Sequence, residues 1–123
     1  MSTRSRIAIK TRSGYKSIYC HFDGYPSGVG RTLRDHYTNR GKVNRLIALG
    51  NISILGKEIG KKQDFDNPTE GWTVAYHRDR GESKFSNAPK LSRSMQQLSA
   101  LCDSSGVDYL YIFEDNEWKM IKA

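Results

Sequence analysis

Residues 109–122 read Tyr109-Leu110-Tyr111-Ile112-Phe113-Glu114-Asp115-Asn116-Glu117-Trp118-Lys119-Met120-Ile121-Lys122, two strand-favouring runs joined by two residues that tolerate positive φ. The two-residue link sets a hairpin register in which Phe113 pairs with Trp118 and Tyr111 with Met120, while Leu110 meets Ile121 on the opposite side. Apolar material on both faces places this hairpin at the centre of a sheet or at an interface. Immediately upstream, Ser94 with Gln97 forms a capping box, and Met95, Leu98, Leu101 and Cys102 make a helical apolar stripe. Helix followed by antiparallel hairpin is the signature of an α+β layer.

Working back along the chain, Trp72, Val74 and Tyr76 mark a strand that ends at the polar run His77–Glu82, read as a surface loop. Residues 57–71 hold lysines, Gln63, Asp64, Asn67 and Pro68 with little apolar periodicity, which predicts an exposed, mobile connection. Val29, Leu33 and Tyr37 recur every four residues, and Val43, Leu46 and Ile47 carry helical spacing up to Gly50, so two short helices are expected. The segment Asp23-Gly24-Tyr25-Pro26-Ser27-Gly28 favours a defined loop.

At the N-terminus Ile7 and Ile9 alternate with Arg4, Arg6, Ala8 and Lys10, as in a half-buried strand. A turn at Thr11–Gly14 leads to a second strand in which Ile18, Cys20 and Phe22 alternate with Ser17, Tyr19 and His21. The predicted order is ββααβαββ, an α+β fold with a mainly antiparallel sheet and about three short helices, in one domain spanning 1–123.

With 123 residues one core is the reasonable number, and its modest size makes self-association a plausible source of extra stability. Twenty Lys and Arg against 13 Asp and Glu give a net charge of +7, which favours phosphates, nucleic acid or an acidic surface as partners. Cys20 and Cys102 lack metal-type spacing and fall on apolar faces, so they read as reduced core residues of a cytoplasmic protein. No apolar run approaches a membrane span, and the first residues lack the apolar segment of a signal peptide.

Three constellations carry the chemistry. Arg4 and Arg6, two apart on a strand, place both guanidinium groups on one face where they can fork around phosphate oxygens, with Tyr19 and His21 alongside; the plainer reading is a solvated strand face. His21, Asp23 and Tyr25 precede Gly28-Val29-Gly30 at a helix start, a candidate phosphate cradle, against an Asx-type turn with Tyr25 as a packing lid. Tyr76, His77, Arg78 and Arg80 offer a ring for base stacking and two more cations, against an ordinary charged loop. The expected ligand-binding set is therefore Arg4, Arg6, His21, Asp23, Tyr25, Gly28, Tyr76, His77, Arg78 and Arg80.

No complete catalytic set accompanies them. His77-Arg78-Asp79 matches a kinase catalytic loop only in three residues, with Lys84 where asparagine is required. The paired His-x-Asp triplets put a carboxylate where a phosphoesterase needs a hydroxyl, and would bind metal only if both loops converged. Neither catalysis nor a cofactor or metal is expected.

The opening Ser2-Thr3-Arg4-Ser5-Arg6-Ile7, the segment His21–Pro26 with Val29-Gly30, and Tyr76–Glu82 together resemble a widespread family of small phage proteins, over most of the chain. Through that family the chain is similar to anti-CBASS sponges, which sequester the cyclic oligonucleotide signals of bacterial defence. The resemblance implies tight binding of a cyclic nucleotide, such as a cyclic dinucleotide, in a homo-oligomer, expected to be a tetramer, in the host bacterial cytoplasm and without cleavage. The rival readings are a basic nucleic-acid-binding protein and an inhibitor that docks on a host enzyme.

Overall fold

The computed structural model describes residues 2–123. Strand β1 (Ser5–Thr11) and strand β2 (Gly14–Cys20) form the first hairpin. A single π-helical turn, Pro26–Gly30, leads into helix α1 (Arg31–His36), followed by α2 (Arg40–Ala48) and strand β3 (Ile52–Ile54). Strand β4 (Val74–Ala75), helix α3 (Tyr76–Arg80), strand β5 (Lys90–Ser92) and helix α4 (Met95–Ser105) come next, and the chain closes on β6 (Tyr109–Glu114) and β7 (Glu117–Lys122).

The fold is α+β. Its seven-stranded sheet runs β4-β3-β2-β1-β6-β7, with β5 also on β2, so that β2 receives β3 near Cys20 and β5 near Lys16. The β1–β6 and β2–β3 pairs are parallel and the others antiparallel. The closing hairpin has the register its turn dictates, Phe113 opposite Trp118, Tyr111 opposite Met120 and Leu110 opposite Ile121. Asp115 and Asn116 take φ of 55° and 61°, the left-handed pair that matches the twist of the strands.

Both faces of the sheet are covered. On one, Ile7, Ile9, Ile18 and Cys20 pack against Leu33 of α1 and Val43, Leu46 and Ile47 of α2. On the other, Ala8, Tyr15, Leu110 and Ile112 pack against Leu98 and Cys102 of α4. Ser94 caps α4, accepting from the Gln97 amide at 3.2 Å, while the Gln97 side chain reaches one residue beyond the expected box and accepts from the Arg93 amide at 2.7 Å. Helix α2 stops before Gly50, whose φ of +78° brings it so close to Asn87 that an added Cβ would lie 2.1 Å from the Asn87 carbonyl oxygen.

Four local expectations are corrected. Strand β1 is not half-buried, because α4, arriving about ninety residues later, covers the face that alternation assigns to solvent; Ala8 and Arg6 are both buried there. Tyr76, expected to end a strand, and His77–Arg80, expected in a loop, form α3, and the strand before them shortens to Val74–Ala75. β3 and β5, of three residues each, escape any periodicity. Residues 57–71 are mostly exposed but tied down: Glu58 bridges Trp72, and the Gln63 side chain donates to the Thr73 carbonyl at 3.1 Å.

Candidate anionic-ligand site

The ten residues singled out above divide into two groups. Two of the four arginines belong to the fold. Arg6 is buried under α4, where its Nε donates to the Ser17 hydroxyl at 2.8 Å and its terminal nitrogens to the Ser17 carbonyl and the Ser105 hydroxyl. Burial lowers its pKa to about 10. Arg78 donates to both Asp79 carboxylate oxygens, to the Ile59 carbonyl at 2.9 Å and to the Thr73 carbonyl at 2.6 Å, clamping the 57–71 connection onto α3. Neither guanidinium is free to fork around a phosphate, so the Arg4–Arg6 pair does not act as one.

The loop Asp23–Gly28 is also closed on itself. The Val29 amide donates to the Asp23 carbonyl at 2.8 Å and the Gly28 amide to the Tyr25 carbonyl at 2.9 Å, so these two donors of the expected phosphate cradle are occupied. The Tyr25 hydroxyl donates to Asp23 at 3.2 Å, and that carboxylate raises the Tyr25 pKa. Gly28 is required for packing, since a Cβ there would meet the Asp23 carbonyl oxygen at 2.4 Å. The geometry is that of the turn with Tyr25 across it.

The rest lie where the C-terminal end of β2 meets the start of β3 and the end of β4, on the sheet face that bears α4. Tyr19 and His21 are joined through the tyrosine hydroxyl and Nδ1 at 2.8 Å, and Phe22 packs edge-on to the imidazole with ring centres 4.6 Å apart. Tyr76 begins α3 next to β3, and Phe65 tilts against it at 5.7 Å. The Arg80 guanidinium lies over both rings, 4.5 Å from the centre of Phe65 and 5.0 Å from that of Tyr76. Burial raises the Tyr19 pKa, Arg4 opposes that shift and Tyr76 adds to it; the Tyr19 amide donates to the Asn51 side-chain oxygen at 3.0 Å and the Tyr76 amide to the Asn51 carbonyl at 3.3 Å, which sets the start of α3 against β2. Burial likewise raises the Tyr76 pKa, against the hydrogen bond with Ser53 and the charge of Arg80.

Arg4 and Arg80 are exposed, while Tyr19, His21, Phe65 and Tyr76 are half-buried. Arg80 also pairs with Glu82, and His77 at the rim contacts the Glu82 carbonyl through Nδ1 at 2.7 Å. Phe65 and Tyr19 complete the surface without having been in the expected set. The one available signal for Phe65 is that it is the single aromatic residue in the polar stretch 57–71.

The two His-x-Asp triplets do not pool their side chains. His21 contacts Tyr19, Asp23 accepts from Tyr25, and Asp79 accepts from Arg78 and from the Ala75 and Gln63 amides. Among the described residues no group of three or more His, Cys, Asp or Glu is placed to hold a metal ion. Both cysteines are buried free thiols, and burial pushes the Cys20 thiol up to about 12. Among the described residues no helix is long and apolar enough to cross a membrane. No protein-family model, curated protein or solved structure matches this chain.

Proposed function

We propose that this chain captures a cyclic oligonucleotide, a cyclic dinucleotide foremost, and holds it intact. In this reading it is a phage immune-evasion protein that withdraws the signal of a bacterial defence system in the host cytoplasm, working as a homo-oligomer. The observation that carries the reading is Arg80 stacked over Phe65 and Tyr76, beside Tyr19, His21 and Arg4. A base stacks on an aromatic face regardless of its identity, and a guanidinium pairs with phosphate oxygens through fixed donors. Phosphate competes with Glu82 for Arg80, so Arg80 exchanges one anion for another.

The roles follow from the chemistry. Arg4 and Arg80 meet phosphates; Tyr76, Phe65 and Tyr19 offer faces to bases; His21 and His77 position. Capture needs affinity alone, so it asks for no nucleophile, base and orienting group. The decisive experiment incubates pure protein with a panel of cyclic oligonucleotides, denatures it with heat and identifies what is released. Intact nucleotide at a fixed ratio supports capture, cleaved product makes the protein an enzyme, and an empty panel refutes the reading.

A surface of cations and aromatic rings also suits a polymer strand. That favours nucleic-acid binding as the second reading. Gel shifts that weaken steeply with salt, with no retention of cyclic nucleotides, would select it.

A further inference from the structure

We propose that β7 is a contact edge between two copies of this chain, which pair antiparallel about a two-fold axis at Met120 and continue the sheet from one copy into the other. Strand β7 ends the sheet and is six residues long, whereas β4 and β5 have two and three. It contains no proline, and its register with β6 runs unbroken from Glu114↔Glu117 to Tyr109↔Lys122. A long, regular, uncovered edge is a template for another strand.

The turn decides which backbone groups face outward. Because Asp115 and Asn116 both have positive φ, the hairpin is of the two-residue type that closes on a hydrogen-bonded pair, Glu114↔Glu117. Alternation then directs the backbone groups of Glu117, Lys119 and Ile121 at β6 and those of Trp118, Met120 and Lys122 outward. The Ala123 amide, donating inward to the Asp108 carbonyl at 2.9 Å, keeps the same parity. Beside this free edge Met120 and Ile121 are 45% and 41% exposed, one on each face of the sheet.

Charge selects the register. A two-fold axis perpendicular to the sheet preserves its faces, so only residues of like parity can stand opposite one another. Centring the pair on Lys119 sets that lysine against its own copy, which is unfavourable. Centring it on Ile121 carries Trp118 past Lys122, the last residue of the partner's strand, and engages only Met120 and Lys122 of the outward residues. Centring it on Met120 engages all three outward residues, with Lys122 opposite the Trp118 ring and Lys119 opposite Ile121. A lysine over an indole is attractive, and Lys119 is already held by Glu114 of its own chain at 3.7 Å. Lysines commonly guard an edge strand; here they exclude the wrong registers and permit this one.

The test is sedimentation velocity on the full chain with four variants. In the proposed register two Met120 Cα atoms stand about 5.5 Å apart, within disulfide range. Met120→Cys under mild oxidation is therefore expected to give a covalent dimer, with Cys20 and Cys102 silent because both are buried. Met120→Pro removes an outward amide and leaves the β6–β7 ladder intact. It is expected to dissociate the dimer with an unchanged circular dichroism spectrum. Should that variant unfold, Ile121→Lys decides: I121K opposes two lysines and dissociates the dimer, and adding K119E restores it. A wild-type monomer at every concentration, absence of the Met120→Cys cross-link, or failure of K119E to restore I121K overturns the proposal; the first would leave the edge to an extended segment of another protein. The inference rests on backbone and charge rather than on the nucleotide. A dimer with an empty nucleotide panel therefore refutes only the ligand reading, and a monomer that binds nucleotide refutes only this one.

Discussion

Replacing Arg78 by alanine tests whether its charge serves the fold or the ligand. The substitution removes four hydrogen bonds, two to the carbonyl oxygens of Ile59 and Thr73 and two to Asp79. The Asp79 side chain is 0% exposed and would keep only the amides of Ala75 and Gln63 as partners. Burial works to raise the Asp79 pKa, and the bonds from Arg78 and the backbone outweigh it and hold the carboxyl below its ordinary value. Removing one member of a buried pair leaves an uncompensated charge and costs about 3 to 5 kcal/mol, a large share of the ~5 to 15 kcal/mol that holds a typical domain together. For a chain of this length that corresponds to a fall in Tm on the order of 10 to 20 °C. Thermal unfolding followed by circular dichroism at pH 7 would measure it. A Tm within a few degrees of the parent, combined with lost nucleotide binding, would refute the assignment of Arg78 to the fold.

The paired substitution of Arg4 and Arg80 by alanine is expected to do the reverse. Each charge-assisted contact is worth about 1.5 to 3 kcal/mol, so calorimetric affinity should fall at least tenfold while the apo Tm stays put. Trp118→Ala should cost about 3 kcal/mol in urea denaturation, because the indole packs on Phe113 at 5.1 Å and donates to the Tyr37 carbonyl at 2.8 Å yet is only half-buried. Stability should decline in alkali: burial raises Cys20, Tyr37 and Tyr111 to about 12 from ordinary values of 9.0 and 10.0. The neutral forms are thus favoured in the fold, the stabilisation is complete below about pH 9, and it is lost as pH climbs toward 12. A flat urea midpoint from pH 8 to 11.5 would refute that. With limiting protein and excess cyclic nucleotide, chromatography over hours, with and without chelator or divalent metal, should show withdrawal that stops at the number of sites; continuing loss would mean turnover.

What was legible in the sequence is what local periodicity governs. The register of 109–122 follows from a two-residue turn and a period of two, and the helices at α1, α2 and α4 follow from apolar spacing with a cap or a glycine stop. The failures share a different cause, which is a partner far away in the chain. Alternation assigns Arg6 to solvent because it cannot know that Ser105, on a helix ninety-nine residues later, will lie over it. Arg78 reads like Arg80 in sequence, since both stand in one charged run; only the carbonyls of Ile59 and Thr73 tell them apart, and backbone acceptors leave no trace in residue type. Phe65 was hidden in a polar stretch for the same reason.

This division of the arginines bears on how an anion would be held. Had all four faced solvent, a net charge of +7 would draw phosphates mainly through diffuse attraction, which salt screens. With Arg6 and Arg78 bonded inside the fold, that field persists at long range, but in the proposed site direct contact would fall to Arg4 and Arg80. Contact by two cations is too little for tight capture unless stacking contributes as well, and rings flanking a guanidinium supply that without regard to base identity. Removing Phe65 should therefore weaken a purine-containing cyclic nucleotide more than inorganic pyrophosphate, whereas removing Arg80 should weaken both. Equal losses for the two ligands in the Phe65→Ala protein would mean that the rings merely pack against Arg80 and read nothing.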